Sequence, residues 1–166
     1  MNWEAIGAIS ETLATLAVVI SLIYLAIQIK IQNQESRVQS VHQINETFRE
    51  VVSLMVPPQE AGLMLAASKN FEALSDVDQY RFTMLYLCVL KNIEEAEYHY
   101  RHKRLDSEIW SGLKNQMTDF HSFKASKIVW NKRKHHFSEP FQTFVEQLPD
   151  GNDKVFEMIN INENTK

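Results

Sequence analysis

Glu95, His99 and His102 are spaced by four and three residues, which sets one carboxylate and two imidazoles on a single helical face. Carboxylate and imidazole are ordinary ligands for transition metals. Bundles that hold two such ions supply a Glu-x-x-His pair from each of two helices; here Glu95 and His99 are four apart, and no second helix carries a matching pair. The surrounding EEAEYHYRHKR is strongly polar and reads as a solvated helix end. No cofactor is therefore expected, and Glu95, His99 and His102 are the one candidate metal face. A second cluster is basic: Lys124, Lys127, Lys132, Arg133 and Lys134, with His135 and His136, around Trp130. Ammonium and guanidinium groups beside an aromatic ring suit phosphate on a nucleotide, an RNA or a lipid headgroup. The same charges also suit a solvated helix end, where cations oppose the C-terminal dipole. Both readings stand. His121, His135 and His136 have no characteristic spacing to a nucleophile, and Cys88, inside the apolar run YLCVL, reads as a small core residue. With no glycine-rich phosphate loop, no G-x-S-x-G and no H-E-x-x-H, an enzyme is not expected.

The elements that must position these residues are helical. The chain has 166 residues, enough for about one domain, with four Gly and four Pro. Turns are thus sparse, and the expected fold is all-α: one N-terminal transmembrane helix continuing into a helical cytoplasmic bundle. A net charge of −4 speaks against a general nucleic-acid binder. A single cysteine excludes an intrachain disulfide.

Residues 13–29 read LATLAVVISLIYLAIQI without a charge, and extension to residues 6–31 admits only Glu11 and Lys30. About 20 mainly apolar residues cross a bilayer, and a buried core helix is the competing reading. A cleaved signal would need a basic start and a small-x-small site; neither flanks this stretch, so the helix is expected to remain. Lys30 and Arg37 follow the span and no Lys or Arg precedes it, which predicts an inner-membrane protein, N-terminus outside and bulk in the cytoplasm. Trp3 suits the outer interface. Within the span Gly7, Ser10, Ala14, Ala17, Ser21, Tyr24 and Gln28 recur at alternating spacings of three and four. Small residues let helix backbones approach in lipid, so this stripe predicts self-association into a left-handed bundle. Glu11, the intramembrane acid, lies near the outer end, where a carboxylate reaches headgroups or water; an ionisable residue in a span is also a functional candidate.

The opening NWEAIGAISE, followed by VVISLIYLAIQIKIQNQ, resembles a family of small bacterial proteins with one N-terminal span and a helical cytoplasmic tail, of unassigned function. The likeness covers residues 2–37, with weaker echoes at Glu108-Ile109-Trp110 and at Phe137, Ser138, Phe141 and Val145. It implies architecture and assigns no residue a role.

Four segments are expected: a transmembrane helix over 1–31, a juxtamembrane stalk over 32–56, a helical domain over 57–150 and a loose tail over 151–166. Pro57-Pro58 ends the first helix. Ser75 with Asp78 marks the start of a helix whose expected inner face is Tyr80, Met84, Leu87, Val89, Leu90, Ile93 and Ala96. Pro140 marks the start of the last helix. The expected function is non-enzymatic: a membrane-anchored homo-oligomer whose helical domain senses an anionic ligand or lipid headgroups, as a stress or phage-defence effector. The alternatives are a scaffold docking a larger protein through Trp110, Trp130 or the 137–144 segment, and a helical metal enzyme.

Overall fold

In the computed structural model, which describes residues 3–149 and 151, the chain is all-α, with no strand among the described residues. The turn expected at 149–152 and the tail that follows lie outside this range, apart from Pro149 and Gly151.

Helix α1 is a single run, Trp3–Met55. No Pro or Gly interrupts it after Gly7, and Pro57 with Pro58 stops it as expected. Helix α2 (Pro58–Asn70) has proline in its first turn, where no amide hydrogen is needed. A 3-10 turn (Phe71–Ala73) leads to α3 (Asp76–Arg101). Ser75 caps α3: its hydroxyl oxygen accepts from the Asp78 N–H at 3.2 Å and donates to the Asp78 carboxylate at 2.8 Å. At the other end Lys103 takes φ 58°, and the Arg104 N–H reaches back to the His99 carbonyl at 2.9 Å, which closes the helix. Helices α4 (Ser107–Ser122) and α5 (Lys124–Arg133) follow. A second 3-10 turn (Lys134–His136) and α6 (Glu139–Glu146) complete the set. The N–H of Ser138, orphaned at the start of α6, is taken by Glu94 of α3 at 2.8 Å. Burial pushes the Glu94 carboxyl up, but the bonds from Lys91 and Ser138 outweigh it and hold the group below its usual range.

The chain divides into two compact units, residues up to Gln39 and residues from Ser40 onward. The boundary falls inside the stalk expected at 32–56, because Ser40, Ile44 and Val51 are buried with the helical domain. Asn92 of α3 donates to the Ile44 carbonyl at 3.3 Å, and Gln43 donates to Glu95.

The core of the second unit is aromatic. Phe141 is fully buried, with the rings of Trp130, Phe137 and Phe144 at 6.1, 5.5 and 5.8 Å. Trp110 lies between Tyr100 at 5.2 Å and Phe144 at 5.1 Å. Three expectations are corrected here. The inner face of α3 is built on Phe82 and Tyr86 with Val89, Leu90, Ile93 and Ala96, while Tyr80 is exposed. Cys88 is exposed and not a core residue, since the buried stripe passes through positions 86, 89, 90 and 93. Trp110, Trp130, Phe137 and Phe141 are interior, so they are not surface anchors for a docked protein.

Candidate functional site

In the first unit, the apolar stretch of α1 leaves its side chains uncovered. Thirteen Leu, Ile and Val side chains from Ile6 to Ile31 are 44–61% exposed. Each such side chain left in water forgoes roughly 1 kcal/mol or more of burial. Their sum matches or exceeds the roughly 5–15 kcal/mol by which a whole domain is stable. None of the apolar window is covered by the described residues, unlike the core helix of a water-soluble domain. The helix is long and apolar enough to cross a membrane. The 26 positions of 6–31 rise about 39 Å at roughly 1.5 Å each, against a hydrocarbon core of about 30 Å.

The stripe lies on this uncovered helix. Gly7, Ser10, Ala14, Ala17, Ser21 and Tyr24 are exposed and Gln28 is half-buried. A methyl group added at Gly7 would meet nothing within 4 Å. Ser21 donates to the Ala17 carbonyl of its own helix at 2.8 Å, so its hydroxyl offers a partner helix only an acceptor. Glu11 is exposed, and its backbone carbonyl takes the Thr15 hydroxyl at 2.9 Å.

The candidate metal face does not converge. His99 Nε2 stands 4.0 Å from Glu95, but the His102 ring is bonded through Nδ1 to the Tyr98 carbonyl at 2.7 Å and packs on the Tyr98 ring. Glu95 is shared with Gln43. No group of three His, Cys, Asp or Glu among the described residues could hold a metal ion. His99 Nδ1 is buried without a hydrogen-bond partner among the described residues.

The basic stretch also disperses. Lys124 pairs with Glu72 at 3.2 Å and Lys134 with Glu146 at 2.8 Å. Lys132 and Arg133 are exposed at the end of α5. Lys91, from α3, joins this end: it donates to the His136 carbonyl at 3.2 Å and lies 4.4 Å over the Phe137 ring. His136 is held below its ordinary range by partial desolvation and by the like charges of His135, Arg133 and Lys91. Surface pairs of this kind contribute about 0–1 kcal/mol, so they hold the lysines only weakly.

Lys127, by contrast, lines a cleft. A cleft of about 280 Å³ opens among the end of α4, α5 and α6, and it includes His121, Lys127, Trp130, Asn131, Glu146 and Leu148 in its wall. Lys127 and Asn131 share a face of α5 by their spacing of four. The chain passes close at this end: a Cβ on Gly151 would come within 2.5 Å of the Thr118 carbonyl oxygen, so only glycine fits.

Beneath the cleft, His121 Nδ1 lies 3.0 Å from the hydroxyl of Tyr86, which also bonds Ser126. Tyr86 and Ser126 are each 1% exposed. Burial raises the Tyr86 phenol well above its usual range, so it stays protonated. Desolvation, aided by Lys127, lowers His121 to about 4, so it is neutral at pH 7. Sequence reasoning passes over this trio. His121 and Tyr86 are 35 positions apart, and no spacing rule links them. Its only local trace is a histidine on the inner side of an amphipathic helix.

No protein-family model, curated protein or solved structure matches this chain.

Proposed function

We propose that the protein is a membrane-anchored, non-enzymatic binding protein that self-associates through its span, with the N-terminus outside and the helical domain in the cytoplasm. In this reading it belongs with the small single-span bacterial proteins it resembles, at the inner membrane. The observation that carries it is the uncovered apolar stretch of α1, whose exposure in water would offset the stability of the folded domain. The stripe from Gly7 to Gln28 supports close packing against a second copy.

The helical domain serves as the sensor. Neither His121, lowered to about 4, nor Tyr86, raised far above neutrality, is matched to acid–base catalysis near pH 7. They suit a fixed polar wall for binding. Ligand capture would act by favouring one span packing over another, the behaviour of a membrane effector in stress or phage defence.

The test is fractionation of the full-length chain, followed by an alkaline carbonate wash and detergent. The expected result is retention through carbonate and release by detergent. A chain that stays in the supernatant without detergent overturns the reading. Energy transfer between two tagged copies in vesicles tests the second part; its absence at any protein-to-lipid ratio overturns self-association.

A further inference from the structure

The cleft walled by α4, α5 and α6 has the make-up of a small-molecule site. Its volume of about 280 Å³ lies at the small end of ligand pockets, which run roughly 300–1,000 Å³. It therefore takes a compact molecule rather than a dinucleotide or a peptide. Its wall combines apolar surface from Trp130 and Leu148 with polar groups at a few fixed points, the usual division of labour in such sites.

The polar points are mainly donors. Asn131 brings an amide NH₂, and Lys127 brings an ammonium. That ammonium carries three N–H groups and already takes part in an interaction within the protein. His121 brings a third donor, by the following assignment. The roles in the Tyr86–His121 bond follow the tautomer: with the Tyr86 hydroxyl donating to Nδ1, the proton of the neutral imidazole stands on Nε2 and faces a ligand as a donor. Tyr86 and Ser126, both buried, hold the ring in that state and orientation. The acid in the wall, Glu146, is paired with Lys134 at 2.8 Å.

We infer that this cleft binds a small organic anion, a carboxylate or phosphate monoester with a compact apolar body, whose acidic group is met by Lys127, Asn131 and His121 Nε2. A charged acceptor shared among three donors forms stronger bonds than a neutral one. The apolar body lies toward Trp130 and Leu148. The inference rests on the helical domain being a ligand binder and is independent of where the chain resides.

The experiment is ligand-observed fluorine NMR on the full-length protein in detergent micelles, with 4-fluorobenzoate, 4-fluorophenyl phosphate and 4-fluorobenzyl alcohol. Partition into micelles is common to all variants, and the differences between variants are the readout. Saturable binding of the benzoate assigns a carboxylate ligand, and saturable binding of the phosphate ester assigns a phosphate. Either is expected to weaken at least tenfold in Lys127→Gln and in Asn131→Leu, and to recover partly in Lys127→Arg. The alcohol is expected to bind at least tenfold more weakly than the better anion. Both substituted residues are exposed, so the thermal midpoint should stay close to wild type. Three results overturn the inference: no saturable binding of either anion, equal binding of the alcohol, or undiminished binding in Lys127→Gln. Such a failure with the chain still retained by membranes removes the ligand and leaves the anchor standing.

Discussion

His121 should make the folded domain sensitive to mild acid. The unfolded chain takes a proton on this residue near its ordinary 6.5, while the folded domain holds it neutral down to about 4. Folding is thus opposed by protonation across that window. The contribution of the neutral ring is complete above about pH 6.5, falls away as pH drops toward 4, and is constant below. At about 1.36 kcal/mol per tenfold change in proton activity, the displacement corresponds to roughly 3 kcal/mol. Part of the ring reaches solvent, and screening reduces the expected effect to about 2 kcal/mol. The groups facing the ring are the Tyr86 hydroxyl, the Lys127 ammonium and the Lys134-paired Glu146 on the same cleft wall. The perturbation is His121→Asn, which keeps a short acceptor near the Nδ1 position and removes the titration. The assay is thermal unfolding of the full-length chain in detergent at pH 7 and pH 4, wild type against variant. Wild type should lose about 2 kcal/mol more than the variant, on the order of 8 °C in midpoint for a domain of this size. Histidine NMR should place the His121 titration near 4. An equal acid loss in both proteins, or a His121 titration at 6.5 or above, would refute the reasoning.

Three further outcomes are expected. Phe141→Ala should cost about 3–5 kcal/mol, a large share of the domain's stability, because the ring is fully buried among Trp130, Phe137 and Phe144; a loss under 1 kcal/mol in chemical unfolding would contradict that core. Cys88 should react with a maleimide in the native protein within minutes, as followed by mass spectrometry, whereas a thiol that reacts only after denaturation would place it inside. Ala14→Leu with Ala17→Leu should lower energy transfer between tagged copies in vesicles without releasing the chain from them; undiminished transfer would move the contact to another face of α1.

The limits of sequence reasoning differ along the chain. A run of apolar residues with no compensating polar face is a property of composition, so the character of α1 needed no tertiary information. Local chemistry was equally readable: Ser75 and Asp78 close a cap within four positions, and Pro57 with Pro58 removes the amides a continuing helix would need. The all-α class followed from the same local rules.

Faces were harder. Helix α3 carries apolar residues around much of its circumference, so periodicity alone does not choose between Tyr80 and Tyr86, or between Cys88 and Val89. That choice belongs to the neighbours: Phe71 packs on Phe82 at 5.4 Å, and His121 bonds Tyr86 at 3.0 Å, which turns one side inward. The same holds for Trp110 and Trp130, whose size favours a surface anchor and a core filler equally until α6 packs beside them. The candidate site was least readable. Glu95, His99 and His102 share a face by spacing, yet the His102 ring bonds within its own helix. Lys124 and Lys134 are drawn to Glu72 and Glu146, across 52 and 12 positions. The cleft joins residues of three helices, and the state of His121 depends on burial together with a phenol 35 positions away. Helix identity and membrane length are sums over neighbouring residues, which the linear order of the chain already contains. A binding wall is set by distances and desolvation between remote residues, and these exist only once the helices have packed.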